Sequence, residues 1–380
     1  MTERVATIAA SAAAFERLAD AEGTAIPMYA ALCRSIASDD AVAELLLHAP
    51  VGQRLPVLLL ASLHDVILED DTVPLAAWYP SVGGRADHEG DLHAALRDTL
   101  AARRDRVLHL LAHRQVQTNE VNRCVAWRLG LGELAAADER ELTLVEVGAS
   151  AGLNLFPDRY RIELESSGAT TTLGPPDAPV QLSADLRAGP WTGSTHIPPV
   201  VSRMGLDQRP LDVSDPEDAR WLTACVWPEQ RERFDRLRAA IAWCAAAPPA
   251  MQRGDLVDDL DGALEVGPVG SHVVVLCSWV LAYVERAQRT AFLAQLSGAA
   301  ARLGANGGRL SLLTLEADHV LPWFAAPALS PDESAERRHA SLLVATTFDA
   351  EGTPASAALA RCQAHLRWIE RLRADSRSPR

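Results

Sequence analysis

The segment Leu142–Leu155, LTLVEVGASAGLNL, is the stretch around which the rest of the sequence is organised. Its first six residues, LTLVEV, form a short apolar run rich in β-branched residues, which predicts a buried strand. Gly148, Ser150 and Gly152 then indicate a tight turn, and the following LNLF can open a helix. Such a strand, turn and helix direct backbone N–H groups at an anion or a polar ligand. An ordinary strand–helix turn without a ligand is the alternative.

Two chemistries are compatible with this turn. The pattern E-x-G-x-S-x-G, which begins at Glu146, resembles the first motif of S-adenosylmethionine (SAM) methyltransferases. The pattern G-x-S-x-G also matches the nucleophile elbow of α/β-hydrolases, in which Ser150 would be the nucleophile. Much of the functional question is therefore the choice between a cofactor-binding turn and a nucleophile turn.

The predicted order of elements separates these two chemistries. A serine hydrolase needs a nucleophile, an acid and a histidine in that order. Ser150, Asp255 and His319 satisfy the order, with Asp318 or His272 as variant partners. A hydrolase usually has several strands before its nucleophile strand, whereas residues 1–135 show only helical patterns. The topology therefore favours a methyltransferase-like sheet.

Composition excludes several other classes of function. The 380 residues carry a net charge of −14, which argues against a nucleic-acid partner because no excess of cations is available to neutralise phosphates. The sequence contains no lysine, so all 36 basic residues are arginine. A P-loop lysine and a Schiff-base lysine are therefore excluded. We expect a small-molecule substrate.

Cysteine spacing and hydropathy predict the setting of the protein. The six cysteines are scattered without a C-x-x-C pair, so we expect buried free thiols and no metal site. The N-terminus lacks the basic start and the unbroken apolar run of a signal peptide. No uncharged apolar stretch reaches the ~18 residues of a membrane span. We therefore expect a cytoplasmic protein with no membrane partner.

The chain is expected to have two main parts. Residues 1–135 predict a helical N-terminal or cap domain, and residues 136–372 predict a sheet domain with a hairpin and loop inserted at 156–199. Residues 373–380 predict a disordered tail. Asp39 and Asp40 are predicted to cap the helix that begins at Ala41, and Asp215 is a further predicted N-cap, because a short acidic side chain can accept from the first backbone N–H groups.

The sheet domain contains further local signals. HVVVLCS, residues 272–278, is a near-continuous apolar run that predicts a strand of a parallel sheet covered on both faces. Residues 341–348 and 357–361 predict a hairpin, and Leu366, Trp368 and Ile369 predict a final helix. The expected fold class is α/β. Its sheet is mainly parallel with a C-terminal antiparallel hairpin, and an all-helical region precedes it.

The sequence also resembles a bacterial family catalogued as domain of unknown function 2332, over nearly its whole length. The similarity rests on VQTNEVNRC (116–124), VEVGASAGLNL (145–155), DRY (158–160), GLDQRPLDV (205–213), DARWLTACVWPEQ (218–230), RGDLVDDL (253–260) and VVVLCSWVLAY (273–283). The resemblance implies a SAM-methyltransferase-like Rossmann domain that carries an N-terminal helical region.

This interpretation assigns a role to each candidate residue. The expected SAM-binding residues are Glu146, Gly148, Ser150, Gly152, Asp207, Asp212, Asp255 and Ser278. Glu146 would orient the turn, whose small residues would let the backbone approach the methionine and ribose parts of the cofactor. Asp207 or Asp212 would accept from the ribose hydroxyls, and Asp255 from the adenine amino group.

The acceptor side is expected to come from two other segments. Asn119, Arg123 and Tyr283 would line it together with Ser278, and Glu120 is the candidate general base. Two alternatives remain open at this point. One is the serine hydrolase, and the other is a non-catalytic binding module that has kept a methyltransferase fold.

Overall fold

The computed structural model describes residues 2–23, 25–327 and 334–372, so the expected disordered tail at 373–380 lies outside the described residues. The chain divides into two compact units. The helical unit comprises Met1–Thr118 and Ser214–Arg238, and the sheet unit comprises Asn119–Val213 and Ala239–Arg380. Among the described residues, no helix combines the length and the hydropathy needed to cross a membrane.

Helices make up the part of the chain before the first strand, and further helices lie between the later strands. The described α-helices are α1 (Thr2–Glu22), α2 (Pro27–Ala37), α3 (Asp40–Ala43), α4 (Pro56–Glu69), α5 (Leu92–His113), α6 (Cys124–Ala135), α7 (Pro216–Ala224), α8 (Arg231–Cys244), α9 (Leu260–Leu264), α10 (Arg286–Ala305) and α11 (Ala335–Arg338). Short 3₁₀ helices lie at Glu44–His48, Val51–Gln53, Pro74–Trp78, Pro80–Val82, Val121–Arg123, Leu153–Leu155 and Leu281–Tyr283.

Helix α4 forms the centre of the helical unit. Every residue from Leu58 to Ile67 is buried, including Asp65. The carboxylate of Asp65 accepts from Arg106 of α5 at 3.2 Å and from Arg220 of α7 at 3.3 Å. Because a buried charge is tolerated only when it is paired, these contacts fix the three helices to one another.

All eleven described strands form a single mixed sheet in the sheet unit. They are β1 (Leu142–Val147), β2 (Arg161–Ser166), β3 (Ala169–Leu173), β4 (Gln181–Arg187), β5 (Val200–Asp207), β6 (Ala250–Arg253), β7 (His272–Ser278), β8 (Arg309–Ala317), β9 (Ser341–Phe348), β10 (Pro354–Cys362) and β11 (Trp368–Arg371). Their order across the sheet is β3-β2-β4-β11-β10-β9-β8-β7-β1-β5-β6.

Five mutually parallel strands, β6-β5-β1-β7-β8, form one half of this sheet. The chain proceeds outward from β1 to β5 and β6, and then returns to the other side of β1 to form β7 and β8. The prediction that Leu142–Val147 pairs in parallel with the segment at 273–277 is confirmed, with Val147 opposite Cys277. The direction of strand addition therefore reverses at β1.

Helices cover both faces of the parallel strands. On one face, Val145 and Val275 belong to a buried cluster with Phe292 of α10 and Leu264 of α9. On the other face, Gly130 of α6 packs closely against a β8 side chain, Leu313. Coverage of both faces explains why β1 and β7 are apolar along nearly their whole length.

The other half of the sheet comes from the insertion and the C-terminus. The predicted C-terminal hairpin is confirmed, since β9 and β10 pair antiparallel and β9 also pairs antiparallel with β8. Within residues 156–199, β2 pairs antiparallel with β3 and parallel with β4. The predicted final helix with Trp368 and Ile369 is wrong. These residues form strand β11, which pairs with both β10 and β4.

Candidate ligand-binding site

The turn after β1 has three residues in the left-handed conformation. Gly148 has φ +67°, Ser150 has φ +55° and Gly152 has φ +69°. Glycine adopts this conformation without a steric penalty, whereas serine does so at some cost. The turn thus reverses the chain sharply at the carboxyl end of β1, where the strand order also reverses.

Both glycines of the turn are also required by close packing. A Cβ on Gly148 would lie 2.2 Å from Cγ2 of Val280, and a Cβ on Gly152 would lie 2.6 Å from Cγ of Pro249. Neither distance leaves room for a methyl group. The alternation of small residues in GASAG is therefore dictated by the backbone conformation and by the protein's own neighbouring side chains.

Asp207, the last residue of β5, holds the turn in place. Its Oδ2 accepts from the backbone N–H of Ser150 at 2.8 Å, and its Oδ1 accepts from the backbone N–H of Arg209 at 2.7 Å. The carbonyl of Ser150 in turn accepts from the backbone N–H of Leu211 at 3.0 Å. An acidic side chain at the end of one parallel strand is thus bonded directly to the Gly-rich turn of its neighbour.

Two predicted acceptor-side residues also reach this edge of the sheet. Asn119 donates from Nδ2 to the carbonyl of Ala149, within the turn, at 3.3 Å. Arg123 donates from Nη1 to Oγ of Ser278, the last residue of β7, at 3.1 Å. Asn119, Arg123 and Ser278 are all buried. The polar segment at 119–123 therefore lies beside the carboxyl ends of β1 and β7.

Two buried carboxyl groups lie near the carboxyl ends of β1 and β8. Burial raises the pKa of Glu146 to about 8, although the hydrogen bond to Asn154 and the charge of Arg123 act in the opposite direction. Burial also raises the pKa of Glu316 in β8 to about 7. Its Oε1 accepts hydrogen bonds from the backbone N–H groups of Val280 and Leu281 at 2.8 and 2.9 Å, and these bonds act to lower the pKa. Protonated carboxyl groups therefore persist near neutral pH at this site.

These carboxyl groups should make stability depend on pH. The folded pKa of Glu146 exceeds its ordinary value of 4.5, so between about pH 4.5 and about pH 8 the folded state keeps a proton that the unfolded state has lost. The free energy of unfolding should therefore fall as pH rises through this window, by about 1.4 kcal/mol per pH unit for such a group. Urea denaturation at several pH values should show a shallower fall in Glu146→Gln. The matched control, Glu351→Gln at an exposed position, should keep the wild-type slope, and an unchanged slope in Glu146→Gln would contradict the assignment.

Several buried oxygen atoms at this edge have no hydrogen-bond partner among the described residues. They are Oδ1 of Asn119, Oε2 of Glu146 and Oε2 of Glu316. Buried polar atoms in native proteins are nearly always bonded, so such atoms call for a partner from outside the chain. Oδ1 of Asn119 can only accept, whereas protonated Glu146 and Glu316 can also donate, so the geometry is that of a site for a ligand that has both hydrogen-bond donors and acceptors.

The remaining predicted residues lie on segments next to these elements in the chain. Asp212 is exposed, five positions beyond Asp207. Asp255 follows β6, two strands and about 10 Å from β1, and it accepts from Nε2 of Gln208 at 3.0 Å. Tyr283 follows β7 and is 86% exposed. Glu120, which follows Asn119 in the sequence, is buried.

One of the histidines considered for a serine hydrolase lies at the end of the sheet opposite to the turn. His272 is paired with Leu142 at the amino end of β1, about 17 Å from the turn at a rise of ~3.3 Å per residue. It is buried and bonded to Oγ of Ser311 at 2.9 Å. His319 follows β8, and its side chain is 81% exposed, 3.4 Å from the carboxylate of Asp318.

Some polar residues of the site were not predicted from sequence. Asn154 stands alone in the apolar run LNLF, and Glu316 ends the apolar run of β8. A single polar residue within an apolar run is the sequence signal that could have identified both Asn154 and Glu316 as site residues. His365, close to Glu120, had no signal, because 245 positions separate the two residues. In the described ranges, no three His, Cys, Asp or Glu residues are placed to hold a metal ion.

Comparison with known proteins identifies the family of this chain. The family model described as "Uncharacterized protein conserved in bacteria (DUF2332)" matches residues 12–371, nearly the whole chain. No curated protein and no solved structure matches the chain. The match agrees with the resemblance found from the short segments, and the chain belongs to this bacterial family, DUF2332.

Proposed function

We propose that the chain is a SAM-dependent methyltransferase that acts on a small-molecule acceptor. The observation that carries this proposal is the bond from the Ser150 N–H to the carboxylate of Asp207. It joins two adjacent parallel strands at the point where the strand order reverses. In open α/β sheets, ligands bind at the carboxyl ends of the strands at such a reversal.

The strand order supports a Rossmann-type interpretation of the parallel half of the sheet. Numbered in chain order among themselves, β6-β5-β1-β7-β8 are strands 3-2-1-4-5, which is the doubly wound order of dinucleotide-binding folds. In those folds the first strand ends in a Gly-rich turn, and an acidic residue further along binds the ribose hydroxyls. Asp207 is the acid that meets the turn, so we assign the ribose to Asp207 rather than to Asp212.

The chemistry of the site fits SAM. Oδ1 of Asn119 and the carboxylate of Asp207 are hydrogen-bond acceptors, and a carboxylate has about four acceptor positions, of which Asp207 uses two. SAM offers donors in its ammonium group, its ribose hydroxyls and its adenine amino group. Its ammonium and sulfonium groups are also cations, which carboxylates favour.

The residues of the chain would act mainly by positioning. SAM, when bound, supplies a methyl group activated by its sulfonium. Asp207 and the turn would fix the nucleoside part, while Asn119, Arg123 and Ser278 would line the acceptor side. Holding two reactants in line can supply much of the rate enhancement of a displacement.

Calorimetry with S-adenosylhomocysteine (SAH), the demethylated product, tests the proposal directly. We expect wild-type protein to bind SAH with one site per chain. Absence of heat and of ligand-induced thermal stabilisation at millimolar SAH would exclude SAM as the cofactor. Mass spectrometry of small molecules that copurify with the protein would identify a different ligand.

A serine hydrolase is the second candidate, because Ser150 itself has the positive φ that a nucleophile turn requires. The variant Ser150→Gly separates the two functions. A methyltransferase needs only a small residue here, and glycine adopts φ +55° without cost, so SAH binding should be unchanged. We also expect no labelling of Ser150 by a fluorophosphonate probe. Covalent labelling of wild type that is lost in Ser150→Gly would instead establish the hydrolase.

A further inference from the structure

A carboxyl group of one strand holds the segment that follows the neighbouring strand. Oε1 of Glu316, in β8, accepts hydrogen bonds from the backbone N–H groups of Val280 and Leu281 at 2.8 and 2.9 Å. Since β7 and β8 are parallel neighbours, these bonds join the end of β8 to the chain just after β7 ends at Ser278. Glu316 is buried, so water cannot replace these bonds unless the segment opens.

The two bonds satisfy the start of the 3₁₀ helix Leu281–Tyr283. The first N–H groups of a helix have no partner within the helix, and a polar N-cap side chain usually supplies one. The N-cap here is Val280, whose side chain has no acceptor and makes no capping bond. Glu316 therefore supplies, from another strand, the acceptor that the N-cap residue lacks.

The residue before this helix start is held in a strained conformation. Trp279 has φ +53°, which bulky residues rarely adopt. Its backbone N–H donates to the carbonyl of Leu315 at 3.1 Å, and its indole N–H donates to Oγ of Ser341 at 3.2 Å. Such strain persists only where surrounding contacts impose it. Here the bonds of Trp279 itself and the bonds of Glu316 to the next two residues impose it together.

The segment held in this way lies directly against the Gly-rich turn. The side chain of Val280 occupies the space beside Gly148, where a Cβ would lie 2.2 Å from Cγ2 of Val280. At the other end of the segment, Nη1 of Arg123 donates to the carbonyl and to Oγ of Ser278 at 3.4 and 3.1 Å. Residues 278–281 therefore contact both the turn and the arginine expected on the acceptor side.

We propose that Glu316 is a positioning residue of the ligand site, which holds residues 278–281 against the Gly-rich turn. The inference rests on the proposed methyltransferase function and adds to it a residue that acts on SAM binding through Val280 and the turn. A surface that is already ordered binds a ligand more tightly than one that the ligand must order. Release of the segment should therefore weaken binding although Glu316 itself does not touch the cofactor.

Two variants of Glu316 test the hold on the segment. Glu316→Leu leaves the N–H groups of Val280 and Leu281 without an acceptor, whereas the amide oxygen in Glu316→Gln can still accept from both. Amide hydrogen exchange at Val280 and Leu281 should become at least about tenfold faster in Glu316→Leu and stay at the wild-type rate in Glu316→Gln. Unchanged slow exchange along β7 would show that both variants are folded.

Calorimetry with SAH measures the effect on the ligand site. Glu316→Leu should bind SAH at least about tenfold more weakly than wild type, and Glu316→Gln should keep the wild-type affinity. The matched control is Glu229→Leu in the helical unit, where Glu229 accepts from the backbone N–H groups of Met28 and Tyr29 at 2.9 and 3.1 Å. It removes the same kind of contact from the start of another helix and should change neither SAH affinity nor exchange at Val280.

Three outcomes would overturn the role of Glu316. Unchanged exchange in Glu316→Leu would show that Glu316 does not hold the segment. Faster exchange with unchanged SAH affinity would show that the segment does not act on the ligand site, and equal losses in Glu316→Leu and Glu316→Gln would show that the acceptor is not what matters. If wild type itself fails to bind SAH, the proposed cofactor is wrong, and the exchange rates still decide whether Glu316 holds the segment.

Discussion

Gly152→Val is expected to lower the free energy of unfolding by about 2–6 kcal/mol. A non-glycine residue in the left-handed region costs about 1–3 kcal/mol, and overpacking costs about 1–3 kcal/mol more. Both terms apply, because Gly152 has φ +69° and its Cβ would lie 2.6 Å from Pro249. Urea denaturation followed by tryptophan fluorescence measures the change.

Gly168→Val is the matched control for this variant. Gly168 lies in the tight turn between β2 and β3 with φ +85°, and a Cβ there would meet no atom within 4 Å. It should therefore show the conformational cost of about 1–3 kcal/mol without the packing cost. Equal losses in the two variants would mean that Pro249 yields to the new side chain, and that packing at Gly152 contributes nothing.

Asp207→Ala is expected to weaken SAH binding by at least about 100-fold. Each hydrogen bond between a carboxylate and a ribose hydroxyl contributes about 1.5–3 kcal/mol, and about 1.4 kcal/mol corresponds to a tenfold change in Kd. The variant also leaves the backbone N–H of Ser150 without its acceptor, so the turn itself should become less ordered. Calorimetry with SAH measures the affinity, and thermal denaturation measures the folded state.

Asp212→Ala provides the control within the same loop, because Asp212 is exposed and lies five residues beyond Asp207. It should bind SAH as the wild type does. If Asp212→Ala loses affinity and Asp207→Ala keeps it, the ribose assignment belongs to Asp212. Asp207 would then serve only to hold the turn.

The central strands and the turn between them were predictable from sequence because their causes are local. The apolar runs of β1 and β7 predicted both strands with the correct ends, and glycine at 148 and 152 predicted a sharp turn. Of the predicted caps, Asp39 and Asp215 are confirmed, since each accepts from backbone N–H groups within the next three residues, whereas Asp40 is the first residue of α3.

The last strand was not predictable in the same way. Leu366, Trp368 and Ile369 are spaced so that either a short helix or a strand could bury them. Pairing with β10 on one side and β4 on the other decides for the strand, and β4 is about 180 residues earlier in the chain. A short apolar segment adopts the secondary structure in which neighbouring segments can pair with it.

Local sequence patterns are enough to predict the apolar strands, the Gly-rich turn and the helix caps, and they mark the candidate polar residues. Each of these depends on side-chain volume, backbone conformation or hydrogen bonds within a few positions. The contacts of Asp207 with Ser150 and of Glu120 with His365 depend instead on how distant segments pack together. Strand order and loop closure set those contacts, and both depend on which distant segments pack together to bury the apolar faces of the sheet.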